Sequence, residues 1–258
     1  MKFLSICIPT YEMKGLGSSF LEHSFKILVN QTFKDFDVVI SDHSETNEIR
    51  DLCDKYKNRL NIKYFKNKEK RGNSSSNINN AIRKADGKLI KILFQDDFLY
   101  NKNSLQRIID SFELEKDNWL VTACIHTNDG INFYRPFYPK YHDKIHLKKN
   151  TISSPSVLTI KNQQPLKFDE NLLWYMDTDY YKRCYEKFGE PKILNEVNVV
   201  NRAGLHQMTH SLINEKRKKI EYIYCLKKNR EKNILFLILV NKIKKYIRKI
   251  KVIIKKLI

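Results

Sequence analysis

The sequence predicts an α/β fold, a mainly parallel sheet with helices on its faces and a basic helical tail. Three observations predict it. Apolar runs of strand length alternate with segments whose apolar residues fall at helical spacing, the pattern of βαβ units. Two of those runs stop on carboxylates, Asp42 and the pair Asp96-Asp97, at the strand ends where open α/β sheets place ligands. The chain has 258 residues, 41% of them hydrophobic, enough for one core and an appendage.

The elements follow in order. Residues 3–11 read as a buried strand closed by Pro9, and 18–31 as a helix through Phe20, Leu21, Phe25 and Leu28. Residues 36–42 form the second strand, 46–56 a helix with Ile49, Leu52, Cys53 and Tyr56 on one face, and 62–65 a short third strand. A polar loop, 66–76, leads into a helix carrying Ile78, Ala81, Ile82 and Ala85, with Gly87 as its C-cap. The strand at 88–94 then runs into Gln95, Asp96 and Asp97. Beyond it come a helix at 103–115, a buried strand at 119–125, an irregular aromatic stretch at 126–150, and a loop into a strand at 153–160. A helix at 178–188 closes on Gly189, and a late strand covers 193–200.

Adjacent carboxylates repel unless a cation or a donor-rich ligand lies between them, and oxygen ligands of this kind suit Mg²⁺ or Mn²⁺. The plain alternative for Asp96-Asp97 is a solvated acidic turn. The five cysteines stand singly, without a CxxC pair, which argues against a zinc ribbon or a disulfide framework and favours a reducing, cytoplasmic setting. The N-terminal apolar run reads as a strand rather than a signal peptide. No apolar run reaches the length of a membrane span.

Several segments together resemble the GT-A-fold, inverting glycosyltransferases of family 2. They are Ser5–Tyr11, Val38–Ser44, Ile78–Gly87, Leu93–Asp97, Phe168–Glu170 and Met176–Asp179, and the resemblance spans about residues 3–210. It implies a Rossmann-like sheet, a nucleotide-sugar donor (UDP-linked), and a glycan or lipid-linked acceptor in bacterial-type surface polysaccharide synthesis. Pro9, Thr10 and Tyr11 would line the base pocket, Asp42 would accept from the base, and Arg71 would approach the phosphates. Asp96 and Asp97 would hold Mn²⁺ or Mg²⁺ together with His206, with Asp97 also placed to contact the ribose. The usual Asp-x-Asp motif is altered, because Phe94 stands where its first Asp falls. Asp177 would be the base that takes the acceptor's proton, with an N-cap for the following helix as its plain alternative. Trp174, Tyr175 and Asp179 would meet the acceptor, against ordinary core packing for the aromatics.

The charge sits in the tail. Residues 215–258 hold sixteen Lys and Arg against three Glu, so +13 of the net +19 lies there and +6 remains for the first 214 residues. Phe236, Leu239, Ile243 and Ile247 begin an apolar stripe at helical spacing that runs to Ile258, and from Asn241 onward the chain has eight Lys or Arg and no acid. This is the pattern of an amphipathic helix lying on an anionic membrane surface. The expected division is therefore a catalytic domain over 1–212 and a membrane-associating tail over 213–258. The protein would be peripheral on the inner membrane face, with no nucleic-acid partner. The alternatives are a non-catalytic sugar-nucleotide binder, favoured by the altered metal motif, and a nucleic-acid binder acting through the tail.

Overall fold

The structure, a computed structural model, describes residues 2–147, 150–204, 206–207, 213–231, 233–240, 243 and 247. Strands β1 (Leu4–Thr10), β2 (Phe36–Asp42), β3 (Ile62–Lys66) and β4 (Leu89–Ile92) form the N-terminal half of the sheet. β5 (Phe98–Leu99), β6 (Trp119–Thr127), β7 (Phe133–Phe137), β8 (Leu158–Lys161) and β9 (Lys192–Arg202) complete it. The spatial order is β3-β2-β1-β4-β8-β6-β9-β5, with β7 paired to β6. β1 to β4 are mutually parallel, as their near-continuous apolar sequences predict. The other half departs from the mainly parallel expectation: β8 runs antiparallel to both β4 and β6, while β9 is parallel to β6.

Helices α1 (Gly17–Val29), α2 (Glu48–Tyr56), α3 (Ser74–Lys84) and α4 (Ser104–Ser111) pack their predicted apolar faces on the sheet. Helix α5 (Met176–Phe188) starts two residues before the expected Thr178 and ends at Gly189, whose φ of 79° suits a glycine. The expected C-cap at Gly87 is corrected. α3 stops at Lys84 with Ala85 already extended, and Gly87 instead lets two segments pass closely, since a Cβ there would lie 2.6 Å from the Ser5 amide nitrogen.

Residues 126–150, expected to be irregular, contain the end of β6 and all of β7. Asp129 makes the turn between them by accepting from the amides of Ile131 and Asn132, which holds its carboxyl well below the usual range. The Asp129-Gly130 dipeptide was the available hairpin signal.

One feature inside the sheet fixes what lies above it. Lys91 is fully buried in β4, and its ammonium donates to the carbonyls of Ile92 (3.0 Å), Leu158 (3.2 Å) and Ser156. Burial lowers its pKa to about 7. These bonds pin the start of β8 beneath the end of β4, bringing Ser154 and Ser156 to the acidic motif.

The expected division at residue 212 is corrected by α6 (Glu215–Lys228). Tyr222, Cys225 and Leu226 are buried in the body's core. The Glu221 carboxylate, 3% exposed, accepts from the amides of Leu173 (3.1 Å), Trp174 (2.8 Å) and Tyr175 (3.2 Å) and from the Arg217 guanidinium (2.8 Å). It thus caps the start of α5 from outside. A short helix over 234–240 follows, with Ile234, Leu237 and Ile238 packed toward the body. Among the described tail residues, Leu235, Phe236, Leu239, Ile243 and Ile247 are exposed. The rest of the expected amphipathic helix lies outside the described residues. Among the described residues no helix is long and apolar enough to cross a membrane.

Candidate active site

The carboxyl ends of β1, β2 and β4 open into a cleft of about 410 Å³. Pro9 and Tyr11 of the first strand's end line it, with His43, Arg71, Phe94, Asp96 and His206. Burial, followed by the charges of Asp96 and Glu12, pushes the Tyr11 phenol up to about 12, so it stays a hydrogen-bond donor. Its hydroxyl donates to the His206 carbonyl (3.4 Å), and its amide donates to Gln95 Oε1 (2.9 Å).

Asp96 and His206 converge as expected, with His206 Nε2 at 3.1 Å from Asp96 Oδ2. The His206 ring stands edge-on to Phe20 at 4.7 Å between centroids. It reaches this place because Gly204 has no side chain: a Cβ there would lie 2.7 Å from the ring. Among the described residues no group of three or more His, Cys, Asp or Glu side chains gathers around a common point. The Asp96 carboxylate suits Mg²⁺ or Mn²⁺, which would take most of their shell from water and phosphate oxygens, with the His206 imidazole beside it.

Asp97 corrects the expectation that it is a metal ligand or a ribose contact. It is buried, with Oδ1 accepting the Arg202 amide (3.0 Å) and Oδ2 accepting the Asn201 amide group (2.8 Å) and the Ser154 hydroxyl (3.3 Å). Burial, and then the neighbouring Asp96, raise its pKa to about 7. Asp97 therefore anchors Asp96 to β9 and to the segment held by Lys91.

Asp42 is corrected on the same ground, and of Thr10, expected to line the pocket through backbone and side chain, the side chain is turned away. Both side chains are fully enclosed. Asp42 accepts from Thr10 (3.2 Å), from the Ser44 amide (2.9 Å) and hydroxyl (2.6 Å), from Tyr64 (2.6 Å) and from Lys66 (3.2 Å). A carboxylate offers about four lone-pair sites, so none is left for a base. Burial opposes ionisation here, but the Ser44 and Tyr64 bonds and Lys66 outweigh it and hold the pKa below the ordinary value. Arg71 does reach the cleft, where Glu12 and Glu45 pair with it and the His43 carbonyl accepts its Nε–H (2.8 Å).

Asp177 is not among the residues that line this cleft; it lies in the first turn of α5 and is not its N-cap, a position Tyr175 occupies. Oδ1 accepts the Thr178 amide (2.7 Å) and Oδ2 accepts Asn150 Nδ2 (2.6 Å). Burial raises its pKa to about 7, close to the value a general base needs. Asn150 also donates to the Ser153 carbonyl (3.0 Å), and Ser153 Oγ donates to Asn201 Oδ1 (3.4 Å). One hydrogen-bonded path therefore joins Asp177 to Asp97. Asn150 carries no sequence signal. Glu221 does have one, as an isolated acid between Lys219 and Lys227.

The three expected acceptor contacts separate. Trp174 is 37% exposed, with the Lys218 ammonium 4.2 Å from its ring centre. Tyr175 is buried against Tyr222, so its place is in the core. Asp179 is fully buried between Arg183 (2.8 Å) and Lys228 (2.8 Å), a bond to α6 that leaves it no open face.

Comparison with known proteins matches this geometry. The sequence model described as Glycosyl transferase family 2 fits residues 5–164. The chain is 26% identical over 236 residues to "Uncharacterized glycosyltransferase MJ1057" of Methanocaldococcus jannaschii, covering 87% of this chain and 78% of that protein. It is 31% identical over 100 residues to the GalNAc(5)-diNAcBac-PP-undecaprenol beta-1,3-glucosyltransferase of Campylobacter jejuni, covering 38% of this chain and 31% of that enzyme. Among solved structures it superposes on Staphylococcus aureus TarS 1–349 in complex with UDP-GlcNAc with a TM-score of 0.69 at 18% identity, covering 86% of this chain and 64% of that one. The mannosyltransferase PcManGT from Pyrobaculum calidifontis, in complex with GDP-Man and Mn²⁺, gives 0.63 at 13% identity, covering 90% and 65%. The chain thus spans less than two thirds of both of these structures and about a third of the Campylobacter enzyme. The family model spans more than half of the chain, and the sheet order agrees with the fold: this protein belongs to glycosyl transferase family 2 and has the GT-A fold.

Proposed function

We propose that the protein is an inverting, divalent-metal-dependent glycosyltransferase that moves a sugar from a nucleotide diphosphate, UDP by preference, to a glycan or lipid-linked acceptor. One observation carries the reading: Asp96 and His206 meet at the mouth of the cleft, while a separate carboxylate, Asp177, is held ready across the hydrogen-bonded path from Asp97. The nucleotide would lie along Pro9 and Tyr11, with its diphosphate toward Asp96, His206 and Arg71. Mg²⁺ or Mn²⁺, when bound, would neutralise charge on the diphosphate. The acceptor oxygen bonds to the sugar's C1, the bond from C1 to the phosphate oxygen breaks, Asp177 takes the acceptor proton, and the nucleoside diphosphate leaves. A single base suffices for inversion. The exposed Trp174 flanks the acceptor side.

The relatives' names support the substrate classes. The Campylobacter enzyme is named for an undecaprenol-linked glycan, and TarS for poly(ribitol-phosphate). The tail extends the reading to an anionic membrane surface on the cytoplasmic side. Its support is that Leu235, Phe236, Leu239, Ile243 and Ile247 are exposed beside a Lys- and Arg-rich sequence.

The test is calorimetric binding of UDP with and without Mn²⁺. Wild-type protein is expected to bind more tightly with Mn²⁺, and Asp96→Ala to lose that gain. Equal affinity with and without the metal in wild type would remove the metal-dependent reading.

A further inference from the structure

We infer that the face of the β6–β7 hairpin bearing His126, Tyr134 and Phe137 is an acceptor-saccharide subsite, which packs a sugar unit next to the one that reacts. This rests on the proposed glycosyl transfer and adds to it where the acceptor lies.

Residues paired across neighbouring strands share a face of the sheet. His126 pairs with Asn201 on one side and with Tyr134 on the other, and Cys124 pairs with Phe137. The pairing of β6 with β7 shifts between Cys124 and His126, where Arg135 has a φ of 51°. This bulge returns Phe137 to the face of Tyr134 although three residues separate them. The same face is tied to the site: the Cys124 thiol donates to Ser153 Oγ (3.2 Å), which donates to Asn201, and Asn201 donates to Asp97. Ser153 is in turn bonded to Asn150, the partner of Asp177. From Asn201 to Tyr134 is two strand spacings, about 10 Å.

Hydrogen bonds hold the shelf in place, with Tyr134 open to solvent and His126 and Phe137 half-buried. His126 Nδ1 donates to the Arg135 carbonyl (2.9 Å), and the Tyr134 hydroxyl donates to Asn128 (2.6 Å). The two rings lie 6.1 Å apart and 30° from parallel, and Tyr134 is 41% exposed. The shelf's three groups are rings, and two of them, His126 and Tyr134, have polar edges. Flat rings with fixed polar handles suit a ligand that has apolar C–H faces and a rim of hydroxyls. A saccharide has that chemistry, and the shelf leads from the carboxylate that would deprotonate it.

The experiment is an NMR titration of the His126 ring in full-length protein saturated with UDP and diamagnetic Mg²⁺, using cellotetraose and chitotetraose as probes. At least one tetrasaccharide is expected to move the His126 signals. Tyr134→Ala is expected to weaken that response about tenfold or more while UDP affinity stays unchanged, and Tyr134→Phe to retain it. The inference is overturned if UDP binds and neither tetrasaccharide moves the His126 signals, or if Tyr134→Ala leaves the response intact. It is overturned equally if Tyr134→Ala only dissolves a dimer in sedimentation, which would make β7 a contact between copies. Failure of UDP itself to bind would instead count against the nucleotide-sugar reading of the cleft.

Discussion

Replacing Asn150 with Ala tests whether Asp177 works as a base in the place where the structure holds it. The Asn150 bond favours the ionised carboxylate, while burial, the larger influence, raises its pKa to about 7 from an ordinary 3.8. A hydrogen bond to a charged group contributes about 1.5–3 kcal/mol, and Asn150 is exposed, which places this one at the low end. One pKa unit corresponds to about 1.4 kcal/mol, so the pKa should rise by about one unit, from about 7 to about 8. The sign follows from the charge: without the donor, the neutral acid persists to higher pH. The assay is UDP release from a UDP-sugar, followed as kcat/KM against pH. Asn150→Ala should lose roughly fivefold at pH 7 and approach wild type near pH 9, as the ionised fraction recovers. An unmoved acid limb, or an equal loss at every pH, would refute the role. Stability gives a second reading. The folded pKa lies above the unfolded one, so stability is greatest below about pH 4 and falls as pH rises toward about 7, and Asp177→Asn should remove that slope.

Three further outcomes are expected. Glu221→Ala leaves three amides and Arg217 without their acceptor, which should cost about 3 kcal/mol and lower Tm by roughly 10 °C, with Glu221→Gln losing less; unchanged calorimetric melting would show that the cap contributes nothing. Asp177→Asn should lower turnover about 10²-fold or more while UDP affinity, measured by calorimetry, is kept. Near-normal turnover would take the base role from it. Deleting residues 233–258 should abolish co-sedimentation with anionic vesicles, while neutral vesicles should bind little of either chain; equal binding of both chains to anionic vesicles would sink the membrane reading.

The N-terminal half was largely legible because its signals are local. β1, β2 and β4 carry continuous apolar runs that only a sheet covered on both faces accommodates, and α1 to α3 bury the faces their spacing marked. Asp96, His206, Tyr11 and Arg71 all reach the cleft they were expected to line. What failed were inferences about side-chain direction. Asp42 and Asp97 stand at the right strand ends but point into protein donors, the Thr10 hydroxyl among those of Asp42, and no spacing rule shows that Tyr64, Lys66 or Asn201 will arrive from elsewhere in the chain to fill them. The division at residue 212 failed for a related reason. Net charge marked α6 as tail, yet it is fixed by the Glu221 carboxylate, by Lys228 paired with Asp179 and by a buried strip of Tyr222, Cys225 and Leu226, which composition does not separate from the surrounding lysines.

The Glu221 cap also has a consequence for the order in which the protein matures. Synthesis runs from the N-terminus, and the strands that form the nucleotide side are complete by β4. The helix that carries Asp177 obtains its external cap only after Glu221 has left the ribosome, and Asp179 obtains Lys228 later still. The half of the site that holds Asp177 is therefore completed only after α6 has been made. A nascent chain halted before α6 should bind UDP yet remain open to protease around residues 173–175.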